Sequence, residues 1–439
     1  MSGIAIGLIA LAVVLGLLAL RIHIGIGMFL GGIVCYLIVY NGDTNALMFT
    51  LNKLVYARMS DYDLAVIPLF LLMGQFAIYG GLSRSLFNAA SAFIGHWRGG
   101  MAMATTGACA GFGAICGSSL ATAATMSQIA MPELDRHHYP KGLSAGTIAA
   151  GGTLGILIPP SVPLIVYAVL VQASIGKLFM AAIIPGIIAM LGYWAVIWVV
   201  ASRTMKDMPT IPKASWATRL QSLLEVMPVA LVFVVVIYGI YGGWANLTEA
   251  ASIGAAACGL YAWLRGGMRS HGLYKSLIGT AETTAMIYLI VVGADLLNSG
   301  LALTHMPAEL AQWVQDIGLQ PMLVITAILL IYLILGCVMD SLSMIFLTIP
   351  IFYPIVTGLP FFDLTQEQVT IWFGIIALMV VEIGLITPPV GMNLFIVHKS
   401  SGTPLSRVAR GILPFLCADA LRIALLVILP SLSLMLISL

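Results

Sequence analysis

Two pairs of adjacent prolines interrupt long apolar segments of this chain, and they constrain its fold more than any other feature. The first pair lies in Gly-Gly-Thr-Leu-Gly-Ile-Leu-Ile-Pro-Pro-Ser-Val-Pro at residues 151–163, and the second in Gly-Leu-Ile-Thr-Pro-Pro-Val-Gly-Met-Asn at residues 384–393. Proline lacks a backbone donor and its ring crowds the preceding turn, so an unbroken helix cannot pass through either stretch. In lipid, each freed backbone group is costly unless protein, water or an ion satisfies it. Two such breaks, one in each half, predict a buried binding site of the kind that secondary transporters use.

The composition places the chain in a membrane. Of its 439 residues, 61% are hydrophobic and only 8% are charged, whereas soluble domains carry about 25% charged residues. The net charge of +2 is small, and no basic block indicates a nucleic-acid partner. The six cysteines stand singly in apolar stretches, which is typical of small buried residues. The lipid bilayer is therefore the expected surrounding of most of the chain.

Hydropathy predicts an all-α polytopic protein with ten membrane helices and two re-entrant hairpins. The hairpins are expected at about 101–132 and 321–357, because each is an apolar stretch with a polar interruption in its middle. A polar loop is expected at 41–63, and amphipathic surface arms are expected after residue 81 and at 299–318. The ten helices are expected at about 3–20, 24–40, 64–80, 143–174, 178–200, 224–241, 248–264, 277–293, 369–397 and 411–437.

Loop charges predict the orientation. Fifteen of the 19 Lys and Arg residues fall in loops on one side of this topology, and only Lys53, Arg58 and Lys177 fall on the other. The basic side is expected to be cytoplasmic, which places both termini outside. The first apolar helix has no preceding positive charge, so it is expected to be an uncleaved helix rather than a signal peptide.

The two halves of the chain resemble each other. The tips of the hairpins correspond, as do the two Pro-Pro pairs, which predicts a first repeat at 1–222 and a second at 223–439. Each repeat has five crossings and one hairpin. Because five is odd, the second repeat is expected to be inverted, with the first hairpin entering from the cytoplasm and the second from outside.

At this point the sequence resembles a known family. The stretches 117–126, 149–161 and 382–395, with His-Trp-Arg-Gly-Gly at 96–100 and Leu-Thr-Glu-Ala at 247–250, are similar to the large membrane subunit of TRAP transporters, the tripartite ATP-independent periplasmic carriers. The resemblance covers nearly the whole chain. It implies a sodium-driven elevator importer of an organic acid, such as a C4-dicarboxylate, sialic acid or sugar acid, across the bacterial inner membrane.

The resemblance also implies two protein partners and a division of this chain into a transport domain and a scaffold. A periplasmic substrate-binding protein would deliver the small carboxylate substrate, and a small four-helix membrane subunit would join this chain. Because the first helix begins close to residue 1, that subunit is expected to be a separate chain. The transport domain is expected from about 101–174 and 321–397, with the remaining helices as scaffold. No cofactor is expected beyond Na⁺ as the coupling ion.

The hairpin tips and helix breaks are the candidate sites. A tip exposes the N-terminus of its second helix, which attracts anions, and the carbonyls at the end of a broken helix suit a hard cation. One Na⁺ is expected between the first tip and the first break, and another between the second tip and the second break. The candidate Na⁺ residues are Ser118, Ser119, Gly152, Gly155, Pro159, Asp340, Ser341, Gly384, Thr387, Pro388 and Met392. The candidate substrate residues are Ser119, Thr122, Thr153, Ser161 and Asn393.

The intramembrane acids admit several readings. Asp340 could ligate Na⁺ or cap the helix that follows it. Glu382 could pair with a scaffold group, line the cavity or bind the ion directly. Glu249 is expected to cap a helix, and Asp419 and Arg422 are expected to pair as structural groups. Small residues elsewhere could simply permit close helix packing.

Three classes of function fit an intramembrane site of this kind. The first is the binding-protein-dependent sodium symporter. The second is a one-component elevator symporter of dicarboxylate or citrate type, which would lack the small subunit and the binding protein. The third is an intramembrane enzyme, which would need two facing Asp residues or His-Glu-x-x-His. The sequence shows neither pattern, so the protein is not expected to be an enzyme.

Overall fold

The computed structural model describes residues 2–204 and 212–437, and these fold as helices joined by short connections. The part of the chain before the first gap forms ten α-helices and one 3₁₀ turn, Asp63–Ala65. The helices are α1 (Gly3–Ala19), α2 (Ile24–Val39), α3 (Asn45–Met59), α4 (Val66–Tyr79), α5 (Leu82–Ile94), α6 (Gly100–Cys116), α7 (Ser119–Arg136), α8 (Lys141–Leu157), α9 (Val162–Val171) and α10 (Ile175–Thr204).

The second described range repeats much of this order. Its helices are α11 (Trp216–Tyr241), α12 (Leu247–Leu264), α13 (Ser270–Leu303), α14 (Met306–Asp316), α15 (Pro321–Gly336), α16 (Ser341–Thr357), α17 (Gln366–Gly384), α18 (Met392–Ser401), α19 (Leu405–Ile428) and α20 (Ser431–Leu434). In both ranges a helix pair at a predicted hairpin is followed by a helix that breaks at a predicted Pro-Pro pair. Part of the segment between the helices expected at 178–200 and 224–241, including Lys206, lies outside the described residues.

Local chemistry explains several helix starts. The side chain of Asn246 accepts a hydrogen bond from the Glu249 backbone while the Glu249 side chain accepts one from the Asn246 backbone, each at 2.8 Å. This reciprocal capping box satisfies two of the exposed donors at the start of α12. The prediction that Glu249 caps this helix is confirmed. Gly81 precedes α5 with φ 74°, which allows the chain to turn by 66° from α4 into the predicted surface arm.

The prediction of a polar loop at 41–63 was wrong, because most of this segment forms the helix α3. Leu47 is buried there, and Leu51 and Leu54 pack beside it against α2 and α13. Their spacing puts all three on one helix face. Arg58, near the end of α3, makes two hydrogen bonds to the Asp295 carboxylate of α13, and this partner raises the pKa of Arg58. A short apolar stripe and one ion pair thus outweigh the polar composition.

Several other helix boundaries differ from the sequence prediction by up to ten residues. Helix α13 continues to Leu303, ten residues beyond its expected end at 293, so the second arm is only α14. Helix α19 stops at Ile428 instead of 437, because Pro430 follows directly and α20 starts a new short helix.

Five of the described helices are long and apolar enough to cross a membrane alone, and up to seven crossings result if each bent pair is one span. The five are α10, α11, α13, α17 and α19. The bent pairs are α4 with α5, and α8 with α9. Helix α17 is the most deeply enclosed of the long helices, with 89% of its apolar window buried. A helix that is apolar and covered on all sides forms the centre of the bundle.

The helices pack in two groups. In one, α8 and α17 contact each other and both α10 and α19, and the hairpins α6–α7 and α15–α16 cover them. In the other, α2 packs on α1 and α13, and α4 packs on α12 and α13. The groups meet where α4 contacts α6 and where α13 contacts α16. The arms α5 and α14 lie against α6 and α16. Both helix breaks lie inside the first group.

Candidate functional site at the hairpin tips and helix breaks

The first hairpin tip is a tight turn between α6 and α7. Gly117 ends α6 with φ 63°, a conformation that side chains rarely adopt. Ser118 then caps α7, since its Oγ accepts a hydrogen bond from the Ala121 N–H at 3.3 Å. The Ser118 carbonyl accepts from the Thr122 hydroxyl at 2.7 Å. Ser119 is 1% exposed, and its hydroxyl has no hydrogen-bond partner among the described residues.

The first break lies directly against this tip. Helix α8 ends at Leu157, and α9 begins at Val162 after a cis Pro159–Pro160 bond. A Cβ at Gly155 would lie 2.8 Å from Thr122 Oγ1 and 3.3 Å from the Ser118 carbonyl oxygen. Only a glycine therefore permits this approach between the break and the tip. Ser161, at the start of α9, is buried, and its hydroxyl is likewise unpartnered within the described chain.

The second tip carries an acid where the first carries only a hydroxyl. Asp340 caps α16 by accepting from the Ser343 N–H at 3.2 Å and from the Ser343 hydroxyl. Of its two predicted roles, capping is the one that its contacts display. Ser341 is 5% exposed and donates its hydroxyl proton to Glu382 Oε1 at 2.7 Å. This bond joins the second tip to α17.

The second break is longer than the first. Helix α17 ends at Gly384 and α18 begins at Met392, with a cis Pro388–Pro389 bond between them. Backbone bonds hold the segment: the Gly391 N–H donates to the Cys337 carbonyl at 3.1 Å, and the Asn393 N–H donates to the Leu385 carbonyl at 3.0 Å. The Thr387 hydroxyl donates to the Ile383 carbonyl at 2.6 Å.

Residues of the second half cross over to the first. The side-chain amide of Asn393 lies 3.5 Å from the Ala149 carbonyl of α8. A Cβ at Gly152 would be 3.3 Å from that amide nitrogen and 3.1 Å from the Ser119 carbonyl oxygen. The Ser119 hydroxyl faces the Glu382 carboxyl group, although its geometry falls short of a hydrogen bond. Both tips and both breaks thus converge on one polar region.

This region contains oxygen atoms that have no hydrogen-bond partner in the described part of the chain. They are Ser119 Oγ, Ser161 Oγ, Asn393 Oδ1 and Glu382 Oε2, and each belongs to a buried residue. Buried polar atoms are nearly always hydrogen-bonded, so each exception calls for a partner such as water, an ion or a ligand. Three neutral oxygens and a carboxylate suit a hard cation or a polar solute.

One predicted substrate residue, Thr153, makes its side-chain hydrogen bonds outside this region. The Thr153 hydroxyl donates to the Ala150 carbonyl at 2.7 Å and lies 3.1 Å from the Tyr193 hydroxyl of α10. Tyr193 in turn donates to Asp419 Oδ2 at 2.9 Å, and Asp419 Oδ1 lies 2.8 Å from Arg422. The predicted pairing of Asp419 with Arg422 is confirmed. The hydrogen bonds of Tyr193 were not predicted, because no pattern near it in the chain indicates that its hydroxyl has a polar partner.

The fold has a counterpart among solved structures. The chain is similar over 88% of its length to a solved transporter structure described as the Alcanivorax borkumensis YdaH transporter with an unusual topology, with a TM-score of 0.64 and 13% identity; the match covers 88% of that chain. At this identity the likeness shows the fold alone. The described residues of this chain are all-helical, and that solved structure has the same arrangement of the chain.

The family follows from the sequence comparisons. A family profile described as "Tripartite ATP-independent periplasmic transporter, DctM component" matches residues 11–432. The C4-dicarboxylate TRAP transporter large permease protein DctM of Pseudomonas aeruginosa is 37% identical over 374 residues, 85% of this chain and 86% of that protein. The isethionate TRAP transporter permease protein DctMQ of Oleidesulfovibrio alaskensis is 33% identical over 86% of this chain and 58% of that protein. The chain belongs to the DctM family of TRAP transporter large permeases.

Proposed function

We propose that this protein is the large subunit of a sodium-coupled importer of a small organic anion. The observation that carries the proposal is the pairing of a hairpin tip with a helix break in each half, around buried oxygens that find no hydrogen-bond partner within residues 2–204 and 212–437. One Na⁺ would lie between Ser118, Ser119 and the Gly152–Pro159 segment. A second would lie between the 340–341 tip and the 384–392 break, with backbone carbonyls as most of the ligands.

The substrate would bind next to these ions. Ser119, Ser161 and Asn393 are buried and converge on the junction between the halves. Each has a side-chain oxygen that lacks a hydrogen-bond partner among the described residues. The N-termini of α7 and α9 also lie in this region, and the positive end of each helix dipole favours a carboxylate or sulfonate. The names of the two relatives, a C4-dicarboxylate and an isethionate transporter, support a small organic anion as the substrate class.

The proposed transport step is an elevator movement of the first helix group against the second. Helices α10 and α19 contact α8 and α17, so we include them in the moving body. The scaffold would then be built mainly from α1, α2, α4, α11, α12 and α13. The arms α5 and α14, each packed on a hairpin, would transmit or limit the movement.

Two partners are proposed. Family membership supports a small membrane subunit and a periplasmic binding protein, and the DctMQ relative supports a physical association with the former.

Uptake should be measured in proteoliposomes that hold this chain with or without the small subunit, with binding protein and a Na⁺ gradient. The proposal expects uptake only from the complete system. Robust uptake by this chain alone would instead identify a one-component symporter, and uptake indifferent to Na⁺ would overturn the coupling.

The proposed location is the bacterial inner membrane, with two inverted repeats and both termini in the periplasm. The ion pair between Lys177 and Glu367 supports part of this topology, because it joins the first turns of α10 and α17, two helix starts that the topology assigns to the periplasm. Cysteines introduced at Lys213 and Arg269 should react only from the cytoplasm, and one at Asp363 only from the periplasm. The exposed Cys417 should be replaced by serine first. Labelling of Lys213 and Asp363 from the same side would contradict the inverted arrangement.

A further inference from the structure

Helix α8, which carries the first break, approaches three neighbouring elements through glycines. A Cβ at Gly146 would lie 2.4 Å from the Gly411 carbonyl oxygen of α19, and one at Gly151 would lie 2.8 Å from a side chain of α6. Gly152 and Gly155 meet the first hairpin tip in the same way. Glycines allow helices to approach closely but have no side chains that interdigitate. The position of the break relative to the tip therefore depends on side-chain contacts elsewhere on α8.

Thr153 makes such a contact. Helix α8 has three hydroxyl groups, and those of Ser144 and Thr147 have no hydrogen-bond partner among the described residues. The third, on Thr153, is buried and lies 3.1 Å from the Tyr193 hydroxyl of α10. Because successive residues of a helix are about 100° apart, Thr153 points to a different side of α8 from its neighbour Gly152. Helix α8 is thus held to α10 on one side while its glycines meet the tip on another.

Tyr193 is itself held firmly in place. Its hydroxyl donates to Asp419 Oδ2 at 2.9 Å, and Asp419 Oδ1 lies 2.8 Å from Arg422. Its ring packs edge-on against Phe415 with the centroids 5.5 Å apart, and the guanidinium carbon of Arg422 lies 5.8 Å from its centroid. All four side chains are buried. A buried ion pair is costly to desolvate, so its presence in a membrane helix indicates a specific role. Here it ties the Tyr193 hydroxyl to α19.

The direction of the hydrogen bonds makes Thr153 dependent on Tyr193. A tyrosine hydroxyl has one proton, and that of Tyr193 goes to Asp419, so Thr153 supplies the proton of the contact between them. The same Thr153 hydroxyl donates to the Ala150 carbonyl of its own helix at 2.7 Å, a bond that threonine makes in many helices. Its link to another helix therefore exists only while Asp419 holds Tyr193 in place.

We propose that Tyr193 is a positioning residue for the first Na⁺ site. Through Thr153 it fixes α8, so that the Gly152–Pro159 segment stays against the first hairpin tip, and Asp419 and Arg422 serve the site by holding the Tyr193 hydroxyl. The inference rests on the proposed function, which places one Na⁺ between this segment and the tip. Groups that orient the ligands of a metal ion typically change its affinity about 10- to 100-fold when they are removed.

The first test compares three threonine variants in the complete transporter. Thr153→Val has nearly the same shape but lacks the hydroxyl, so the Na⁺ concentration for half-maximal uptake should rise about tenfold, with little change in the rate at saturating Na⁺. Thr153→Ser keeps the hydroxyl and should keep the original curve. The matched control is Thr105→Val, because Thr105 is buried in α6 and its hydroxyl donates to the Met101 carbonyl of its own helix at 2.8 Å. An unmoved curve in Thr153→Val, or equal shifts in Thr153→Val and Thr105→Val, would overturn the proposal.

The second test asks whether Thr153 and Tyr193 act through the same bond. Tyr193→Phe should raise the half-maximal Na⁺ concentration by a similar factor, and the double variant with Thr153→Val should raise it no further, because both changes remove one interaction. Factors that multiply in the double variant would show that the two side chains act separately, and would contradict the proposal. Tyr193→Phe also leaves an oxygen of Asp419 without a donor and should lower stability. Thr153→Val leaves that bond intact, so the first test stands if Tyr193→Phe does not fold.

The last test does not depend on transport. Hydrogen exchange of the purified chain in detergent reports how firmly the end of α8 is held. The amides of its last turn and of Ile158, whose N–H donates to the Leu154 carbonyl at 3.1 Å, should exchange faster in Thr153→Val than in the unmutated chain or in Thr105→Val. Equal exchange in all three proteins would overturn the proposal. If the unmutated system shows no Na⁺-dependent uptake, the proposed function fails, whereas the exchange rates still decide whether Tyr193 holds α8 through Thr153.

Discussion

The two tip-and-break units share a plan but differ in charge. The first unit is held by neutral groups: Ser118 caps α7, and Thr122 bonds the tip carbonyl beside Gly155. The second unit has an acid at the cap, Asp340, and a second acid, Glu382, bonded to its tip. The comparison indicates that the units are alike in backbone geometry and unlike in electrostatics. Any role that needs a negative charge belongs to the second half.

The units also differ in how the break meets the tip. In the first, a Cβ at Gly155 would meet the Thr122 side-chain oxygen first and the Gly113 backbone next, whereas in the second, the three nearest atoms to a Cβ at Gly384 are all backbone atoms of Gly336. A side chain can shift by a rotamer change, but a packed backbone cannot do so without moving its helix. The second unit should therefore be the less tolerant of added volume.

The largest expected effect tests this difference. In Gly384→Ala the new Cβ would lie 2.5 Å from the Gly336 Cα, whereas in Gly155→Ala it would lie 2.8 Å from Thr122 Oγ1 and 3.1 Å from the Gly113 Cα. Overpacking typically costs about 1–3 kcal/mol. Gly384→Ala should lower the thermal unfolding temperature more and nearly abolish uptake, with Gly155→Ala intermediate. Gly192→Ala is the control, since nothing lies within 4 Å of its Cβ. Equal losses at 155 and 384 would show that the two contacts are equally rigid.

The sequence predicts the features that depend on neighbouring residues, but not those that depend on contacts between residues far apart in the chain. The breaks, the hairpin tips and the Glu249 cap depend on neighbours within a few residues, and these were predicted at the right places. The contact of Asn393 with the Ala149 carbonyl joins residues 244 positions apart, and that of Tyr193 with Asp419 joins residues 226 apart. Such contacts depend on how helices pack, which no local pattern encodes. Helix α3 was missed for the same reason, because its stability comes from α2 and α13.

Removing the charge at the second tip should have a smaller effect than adding volume at the breaks. Asn caps a helix about as well as Asp, so Asp340→Asn removes the charge and leaves the cap. Near the surface of a protein, losing an interaction between opposite charges about 4 Å apart is worth at most about 4 kcal/mol, and desolvation and solvent screening reduce it. Because Asp340 is partly exposed, the Na⁺ concentration for half-maximal uptake should rise by about three- to tenfold, or about 0.7–1.4 kcal/mol. An unmoved Na⁺ curve would mean that Asp340 serves only as a cap.

The smallest effect is expected at the neutral tip, and it completes the comparison. Ser118→Ala removes a cap without removing a charge, so it should cost about 1 kcal/mol of helix stability. The Ser118 carbonyl remains in place beside Gly155. Since a neutral hydroxyl contributes less to a cation than a carboxylate does, the half-maximal Na⁺ concentration should rise by less than in Asp340→Asn. Initial uptake rates against external Na⁺, with binding protein and substrate saturating, measure both variants on one scale. If Ser118→Ala shifts the curve further than Asp340→Asn, the hydroxyl rather than the acid dominates ion binding, and the electrostatic difference between the two units has no part in coupling.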